Sequence, residues 1–320
     1  MSRQLLRYIG GRLLVLVCLL VLVSFGVFSL VYLAPGNPLD AYLGSSIRTP
    51  QLVAHLRQEF HLNDPFLDQF WIWLSNAAQL KFGTSIATML PVTEEIKQAL
   101  PSSLYLGAYA FVLSMVFGVG FGVLAGIRRQ RIVDRATVGG AVIALSTPAF
   151  VSSILLIYLL AVVIPVFPAS GAGTGVFNEI WHLTLPAVAL SLTGVGYILK
   201  HTRAATIAVL DQDYVTFARA RGLGARRVLM QYVLRNACIP VVTISGLILA
   251  FVITGAVLVE TAFSMPGVGQ LLEQSATQKD IPTIQGIAIV VAVIIMLANL
   301  LADVAYVIVD PRIRLGGTRS

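Results

Sequence analysis

Two carboxylates stand out because each lies in or at the edge of a long apolar run. Glu260 ends one run, and Asp303 lies about two turns before the end of another. Ionisable groups in such surroundings are costly to bury, and a carboxylate in a cavity can bind an amino group or relay a proton. Each also has a purely structural explanation, since Glu260 can cap the following loop and Asp303 can pair with a basic residue. The residues alone leave both alternatives open.

Other reactive side chains form no recognisable catalytic or metal-binding pattern. A phosphate-binding P-loop needs Gly-Lys-Ser/Thr, and none of the four lysines follows a glycine. The histidines and cysteines lack ligand spacing and a disulfide framework; they are His55, His61, His182, His201, Cys18 and Cys238. The sequence predicts no catalytic site, no metal site and no cofactor within the chain.

The surroundings of the two carboxylates are those of a membrane protein. The 320 residues are 57 % hydrophobic and 12 % charged, about half the charge of a soluble domain. A membrane-spanning helix needs about 20 mostly apolar residues. Six segments satisfy this length: 9–33, 103–127, 138–163, 183–202, 239–259 and 283–309. Because the first run has no A-x-A cleavage site, we expect it to remain as an anchor. The sequence therefore predicts an all-α integral membrane protein with six transmembrane helices.

Basic residues indicate which side of the membrane each connection occupies. Most of the 22 lysines and arginines lie at the two ends and in the loops after the second and fourth predicted helices. The positive-inside rule places these parts in the cytoplasm. The pI near 9.6 then follows from topology, without nucleic acid as a partner. Both termini are expected to be cytoplasmic.

Three parts of the chain are distinguished by these patterns. Residues 1–33 form the N-terminus and first helix, 34–102 an extended external segment, and 103–320 a five-helix core. The external segment contains six prolines and amphipathic stretches, which is typical of a small folded cap on the membrane surface. Direct contact with a transported substrate is the alternative.

Serine, glycine and proline residues predict how the core helices pack and bend. Ser114, Gly118, Gly122 and Gly126 recur every fourth residue and form a ridge on which another helix can approach closely. The sequence does not say which helix that is. Two prolines, Pro148 and Pro186, are expected to kink or open the third and fourth helices.

A basic loop, residues 203–236, separates the fourth and fifth predicted helices. Helix formers fill 206–221, Gly222 suits a helix C-cap, and a second amphipathic helix begins near Ala225. The loop is too polar for the bilayer, so it must dock elsewhere. Anionic lipid headgroups, topology alone, or a partner protein would each explain its arginines.

The sequence resembles the permease subunits of ATP-binding-cassette importers, most closely the oligopeptide and dipeptide branch. Six motifs carry the resemblance in the family's order: LAPGNP; LKFGTS with LPVTEEIKQALPSSL; STPAF; YVTFARARGLGARRVLMQYVLRNACIPVVT; ETAFSMPGVGQLL; and NLLADVAYVIVDPRIR. Within the fourth motif, Ala218 and Gly222 match the general coupling signature, whereas Thr216 and Phe217 replace its Glu-Ala. Arg235 and Asn236 stand where the general signature has Leu-Pro, as in the peptide branch.

The resemblance implies a multisubunit importer in a bacterial inner membrane. Its partners would be two cytoplasmic ATPases, which carry the ATP and Mg²⁺, a second homologous permease, an extracytoplasmic solute-binding protein and membrane lipid. The basic loop would be the coupling helix that docks on an ATPase. Its coupling residues would be Ala218, Arg219, Arg221, Gly222, Gly224 and Arg226. Glu260 is the candidate residue of the substrate pathway.

The implied cargo is a di- or oligopeptide. The same branch resembles carriers of glutathione, nickel chelates and some oligosaccharides. A rival from another class is a secondary transporter driven by an ion gradient, with Glu260 or Asp303 as its coupling site. Such transporters usually have more helices and inverted repeats, which this sequence lacks. A scaffold or a membrane protease is a third alternative, disfavoured by the missing catalytic residues.

Overall fold

The computed structural model describes residues 3–33, 49–59 and 63–309. In these ranges the protein is helical, with one isolated antiparallel bridge between Thr84 and Pro91. The helices are α1 (Arg3–Leu33), α2 (Pro50–Glu59), α3 (Phe66–Ala78), α4 (Val92–Ile127), α5 (Ile132–Ser146), α6 (Ala149–Ile157), α7 (Val176–Leu210), α8 (Asp213–Ala220), α9 (Ala225–Val228), α10 (Arg235–Ala262), α11 (Val268–Gln278) and α12 (Ile281–Val309). π-Helical turns extend α6 over Tyr158–Val163 and α9 over Leu229–Leu234. The predicted all-α class is confirmed. The LAPGNP motif after its leucine and the last five residues of the NLLADVAYVIVDPRIR motif lie outside the described residues.

Membrane-spanning segments occur where the apolar runs predict them. Among the described residues, five helical stretches are long and apolar enough to cross a bilayer: Gly10–Leu30, Val92–Ile127, Val176–Leu210, Ile244–Ala262 and Ile281–Val304. A sixth crossing requires α5 and the α6 segment to count as one span, and these are bent by 105°. The third predicted span, 138–163, is therefore broken.

The break between α5 and α6 has a local cause in Pro148. A proline disfavours the helical conformation of the residue before it, and Thr147 is accordingly extended, with φ −97° and ψ 117°. Helix α6 restarts directly after Pro148, whose carbonyl accepts a hydrogen bond from Ser152 N at 3.1 Å. The predicted kink is present at this proline. At Pro186 the assigned helix α7 continues without a break.

Helix α7 is longer than its predicted span of 183–202. It has 35 residues, which corresponds to about 52 Å at 1.5 Å per residue, whereas the hydrocarbon core of a bilayer is about 30 Å thick. The helix therefore extends beyond the apolar layer. Its last two turns contain the first residues of the basic loop.

Contacts divide the chain into two compact units. One comprises Met1–Ser103 and Met265–Met296, and the other Leu104–Ser264 and Leu297–Ser320. In the first unit, the predicted external segment shares a core with α11 and the beginning of α12, and that core contains Phe82, Val92, Ile96, Val268 and Ile287. An aromatic cluster joins the end of α1 to α3, through contacts such as Phe28 with Phe66 and Trp73.

A buried carboxylate in the first unit fixes the loop that precedes α4. Asp280 is 1 % exposed and accepts hydrogen bonds from Ser85 Oγ at 2.5 Å, Ile86 N at 3.2 Å and Thr283 Oγ1 at 2.8 Å. The bonds from Ser85 and Ile86 connect residues almost 200 positions apart in the sequence. Gly286 lies beside this junction, where an added Cβ would be 2.9 Å from Val92 Cγ1.

The glycine ridge of α4 packs against α7 in the second unit. A Cβ added at Gly118, Gly122 or Gly126 would lie 2.6 Å from a side-chain carbon of Ile198, Thr202 or Thr206, respectively. At the N-terminal end of this contact the smaller residue belongs to α7 instead of α4, since Gly194 of α7 faces Ser114 of α4. The predicted close helix approach is thus present, and the neighbouring helix belongs to the same chain.

Candidate functional site: the basic loop and its attachment

The basic loop folds into two short helices joined by a glycine turn. Helix α8 ends at Ala220, and Gly222 has a φ of +78°, a left-handed conformation that favours glycine. Leu223 N then donates to the Ala218 carbonyl at 3.2 Å. Gly222 therefore ends α8 in the way that its sequence position predicts.

One boundary of the loop differs from the predicted helix over 206–221. Helix α7 ends at Leu210, Asp211 and Gln212 form a turn, and α8 begins at Asp213. After this turn, Val215 and Ala218 of α8 belong to a buried cluster against which Val209 and Leu210 of α7 pack. Propensity alone cannot detect this turn, because tertiary packing stabilises it.

A small hydrophobic core holds the loop together. Val215, Ala218, Val228 and Val233 are buried there. Val209, Leu210, Leu223, Leu229 and Tyr232 pack around these four side chains. Tyr214 and Tyr232 stack with ring centroids 6.2 Å apart. Since Val209 and Leu210 belong to α7, the loop core is attached to the end of that long helix.

The outer surface of the loop combines arginines with large apolar side chains. Arg219, Arg221, Gly222, Gly224 and Arg226 are exposed, as a contact surface requires, whereas Ala218 is buried in the loop core. The side chain of Ala218 therefore packs inside the loop core. Phe217 is 68 % exposed and Met230 54 % exposed.

Phe217 and Met230 were not among the predicted coupling residues. Aromatic residues, Met and Arg are enriched at protein interfaces. Phe217 stands where the general coupling signature has alanine, and this replacement is the one sequence feature that indicates an exposed aromatic side chain here. The helical periodicity does not predict whether the side chain of Met230 is exposed or buried.

Two ion pairs attach the end of α7 and the turn that follows it to the beginning of α5 and to the turn that follows α4. Arg203 donates to Asp134 through Nε at 2.5 Å and Nη2 at 2.8 Å. Arg129 donates through Nη1 to both carboxylate oxygens of Asp211, at 2.9 and 2.8 Å. The first pair is largely buried and the second is exposed. No local sequence pattern indicates that these arginines pair with Asp134 and Asp211.

The two carboxylates from the apolar runs lie in different environments. Glu260 is in the last turn of α10 and fully buried, whereas Asp303 on α12 is partly exposed. Within the described residues, no group of three or more His, Cys, Asp or Glu side chains has an arrangement that could hold a metal ion.

A cavity of about 580 Å³ lies between α4 and the beginning of α7. Most of its wall is apolar, and the polar groups on it include Tyr105, Tyr109 and Glu179. Tyr109 Oη lies 3.3 Å from Thr184 Oγ1, which connects the two helices beside the cavity. No sequence pattern predicted this cavity.

Comparison with known proteins assigns the chain to a family. Residues 118–315 match the binding-protein-dependent transport system inner membrane component, and residues 5–107 match the N-terminal part of such membrane components. A probable peptide ABC transporter permease protein of Sinorhizobium fredii is 37 % identical over 96 % of this chain and 99 % of its own length. An oligopeptide transport system permease protein of Bacillus subtilis is 36 % identical over 96 % and 98 %. A glutathione transport system permease protein of Escherichia coli strain K12 is 36 % identical over 97 % and 99 %.

Solved structures support the fold. The inward-facing methionine ABC transporter matches with a TM-score of 0.54 at 15 % identity, over 67 % of this chain and 96 % of that chain. An amino acid ABC transporter matches with a TM-score of 0.53 at 17 % identity, over 67 % and 94 %. The family matches favour an ATP-driven permease over the ion-gradient transporter that would use Glu260 or Asp303. The chain belongs to the family of inner membrane components of binding-protein-dependent transport systems, the permease subunits of ABC transporters.

Proposed function

We propose that this permease subunit imports di- or oligopeptides across a bacterial inner membrane. The support for peptide cargo is that the similar proteins from Sinorhizobium fredii, Bacillus subtilis and Escherichia coli are named for peptide, oligopeptide and glutathione transport. Glutathione is itself a tripeptide, so the three names share one chemical class. Uptake of labelled peptides by cells that contain or lack this chain tests the cargo.

The basic loop is the proposed docking site for an ATPase subunit. The observation that carries this role is that Phe217, Met230 and the arginines of α8 and α9 are exposed on a loop with its own buried core. Such a loop can transmit force because the core resists deformation. Gly222 shapes the surface, and Arg219, Arg221 and Arg226 give it positive charge.

In the proposed cycle, the chain forms one half of the pathway and a second permease forms the other. ATP binding closes two ATPase subunits, and their closure displaces the basic loop and opens the pathway towards a solute-binding protein. Hydrolysis returns the pathway to the inward-facing state. This is an alternating-access mechanism. The ATPase subunits bind the ATP and Mg²⁺. Both termini of this chain lie in the cytoplasm, and lipid surrounds its membrane-spanning helices.

Glu260 is the proposed residue of the substrate pathway. Its carboxylate is fully buried in the last turn of α10, so cargo would reach it only after the surrounding helices separate. A carboxylate there would attract the amino terminus of a peptide. Glu260→Gln, which keeps the side-chain volume, is expected to raise the KM for peptide uptake more than it lowers the maximal rate.

Purification in mild detergent tests the assembly. The tagged chain should retain an ATPase with Walker motifs and a second permease, both identified by mass spectrometry. A chain that purifies alone and transports with a proton gradient but without ATP would contradict the proposal.

A further inference from the structure

The ion pair between Asp134 and Arg203 joins three segments of the second unit. Asp134 lies in the first turn of α5, and Arg203 lies on α7. The same carboxylate also accepts the backbone N–H of Gln130, in the turn that follows α4, at 2.8 Å. One side chain therefore connects the end of α4, the beginning of α5 and the end of α7.

The geometry of this pair is restrictive. Asp134 is 4 % exposed, and Arg203 contacts it through two guanidinium nitrogens, one on each carboxylate oxygen. Bidentate arginine–carboxylate pairs fix orientation as well as distance, and a lysine cannot reproduce them. Loss of one partner from such a buried pair leaves an uncompensated charge. The connection is therefore rigid.

The pair lies next to the basic loop along α7. Arg203 is seven residues before Leu210, where the helix ends and where Val209 and Leu210 pack against the loop core. The backbone of Arg203 also lies close to α4, because a Cβ added at Gly126 would be 3.3 Å from the Arg203 carbonyl oxygen. Arg203 and the loop core are thus connected by two turns of one continuous helix.

We propose that Asp134 and Arg203 are positioning residues that couple the motion of the basic loop to α4 and α5. This inference rests on the proposed function, in which an ATPase displaces the loop. With the pair intact, α7 carries the ends of α4 and α5 with it. Without the pair, the first turn of α5 and the turn after α4 no longer follow α7, so ATP is hydrolysed with less opening of the pathway.

The test compares transport and hydrolysis in the same preparation of the complete complex, reconstituted in vesicles with its solute-binding protein. Asp134→Asn and Arg203→Lys are measured with the labelled peptide that the wild-type complex imports, chosen from a panel of di- and tripeptides. We expect peptide imported per ATP hydrolysed to fall roughly fivefold or more with Asp134→Asn. Arg203→Lys, which keeps the charge but loses the bidentate contact, should give an intermediate fall.

The matched control is Glu94→Gln. It also replaces a carboxylate of an ion pair by its amide, but Glu94 and its partner Lys97 are well exposed and 3.7 Å apart. This control should retain the wild-type ratio. If Asp134→Asn does not assemble, Arg203→Lys carries the test, because it leaves no buried carboxylate without a cation.

The possible results separate the inference from the proposed function. A wild-type ratio in both variants would overturn the inference, and so would an equal fall of hydrolysis and transport, which indicates a structural role only. Absence of ATP-dependent uptake with every peptide in the wild-type complex would instead contradict the proposed function.

Discussion

Gly122 of α4 lies so close to Thr202 of α7 that a Cβ at Gly122 would be 2.6 Å from the Thr202 Cβ and 2.8 Å from the Leu199 carbonyl oxygen. The second contact is with backbone, which cannot move aside by a rotamer change. Small residues at such positions allow transmembrane helices to approach closely.

Gly122→Ala is therefore expected to destabilise the chain by about 1–3 kcal/mol, the usual cost of overpacking. The control is Gly120→Ala on the same helix, where no atom lies within 4 Å of an added Cβ. Thermal unfolding of both variants in the same detergent is the measurement. Equal midpoints for the two would contradict the packing described for α4 and α7.

Gly222 has a left-handed backbone that an L-residue adopts at a cost of about 1–2 kcal/mol. We expect Gly222→Val to distort the basic loop and to reduce the amount of ATPase that purifies with the chain, while membrane insertion is unchanged. Gly222→Asn should retain more ATPase, because asparagine tolerates this conformation better. Neither substitution creates a steric clash at Cβ, since no atom lies within 4 Å of a Cβ added at Gly222. Similar recovery of ATPase with Val, Asn and Gly would show that the turn does not matter for docking.

Phe217 and Met230 are the exposed apolar side chains of the proposed docking surface. Truncation of an interface anchor commonly costs more than about 1 kcal/mol of binding. Phe217→Ala and Met230→Ala should therefore weaken ATPase binding roughly fivefold or more. Ile132→Ala removes a side chain that is 84 % exposed outside the loop, and binding should be unaffected. The measurement is titration of the purified ATPase against the chain in nanodiscs; if all three variants bind equally, the docking surface lies elsewhere.

Asp280 accepts from Ser85, Ile86 and Thr283, and an amide in its place can accept through only one oxygen. Asp280→Asn should destabilise the first unit by about 1–3 kcal/mol, since buried donors lose their acceptor. Glu273→Gln on the neighbouring helix α11 is the control, because Glu273 is exposed. Limited proteolysis within 79–91 should become faster in Asp280→Asn only. An unchanged cleavage rate would show that the junction does not hold this loop.

The sequence predicted those features that depend on local composition. Apolar runs located the spans, Pro148 located the break, and Gly222 located a helix end, because each effect is contained within a few neighbouring residues. The four-residue repeat of Ser114 and the glycines predicted a close helix contact as well.

Features that depend on distant residues were not predictable. Asp134 and Arg203 are 69 positions apart, and only the folded chain brings their charges together. Ala218 belongs to the family signature, yet it is buried by packing within the loop. The external segment is predicted to be a small folded cap on the membrane surface. Its hydrophobic core includes side chains of α11 and α12, through contacts that no local pattern records.

The alternation of small and large residues between α4 and α7 also fixes how these helices can slide. Gly118, Gly122 and Gly126 receive Ile198, Thr202 and Thr206, but Ser114 faces Gly194. A shift by one four-residue step, about 6 Å, in one direction brings Ile198 onto Ser114, so that two side chains compete for one contact. The opposite shift places Gly194 opposite Gly118 and leaves a gap between them. The two helices therefore have a single axial register. Axial sliding of α7 along α4 is therefore opposed by the packing in both directions.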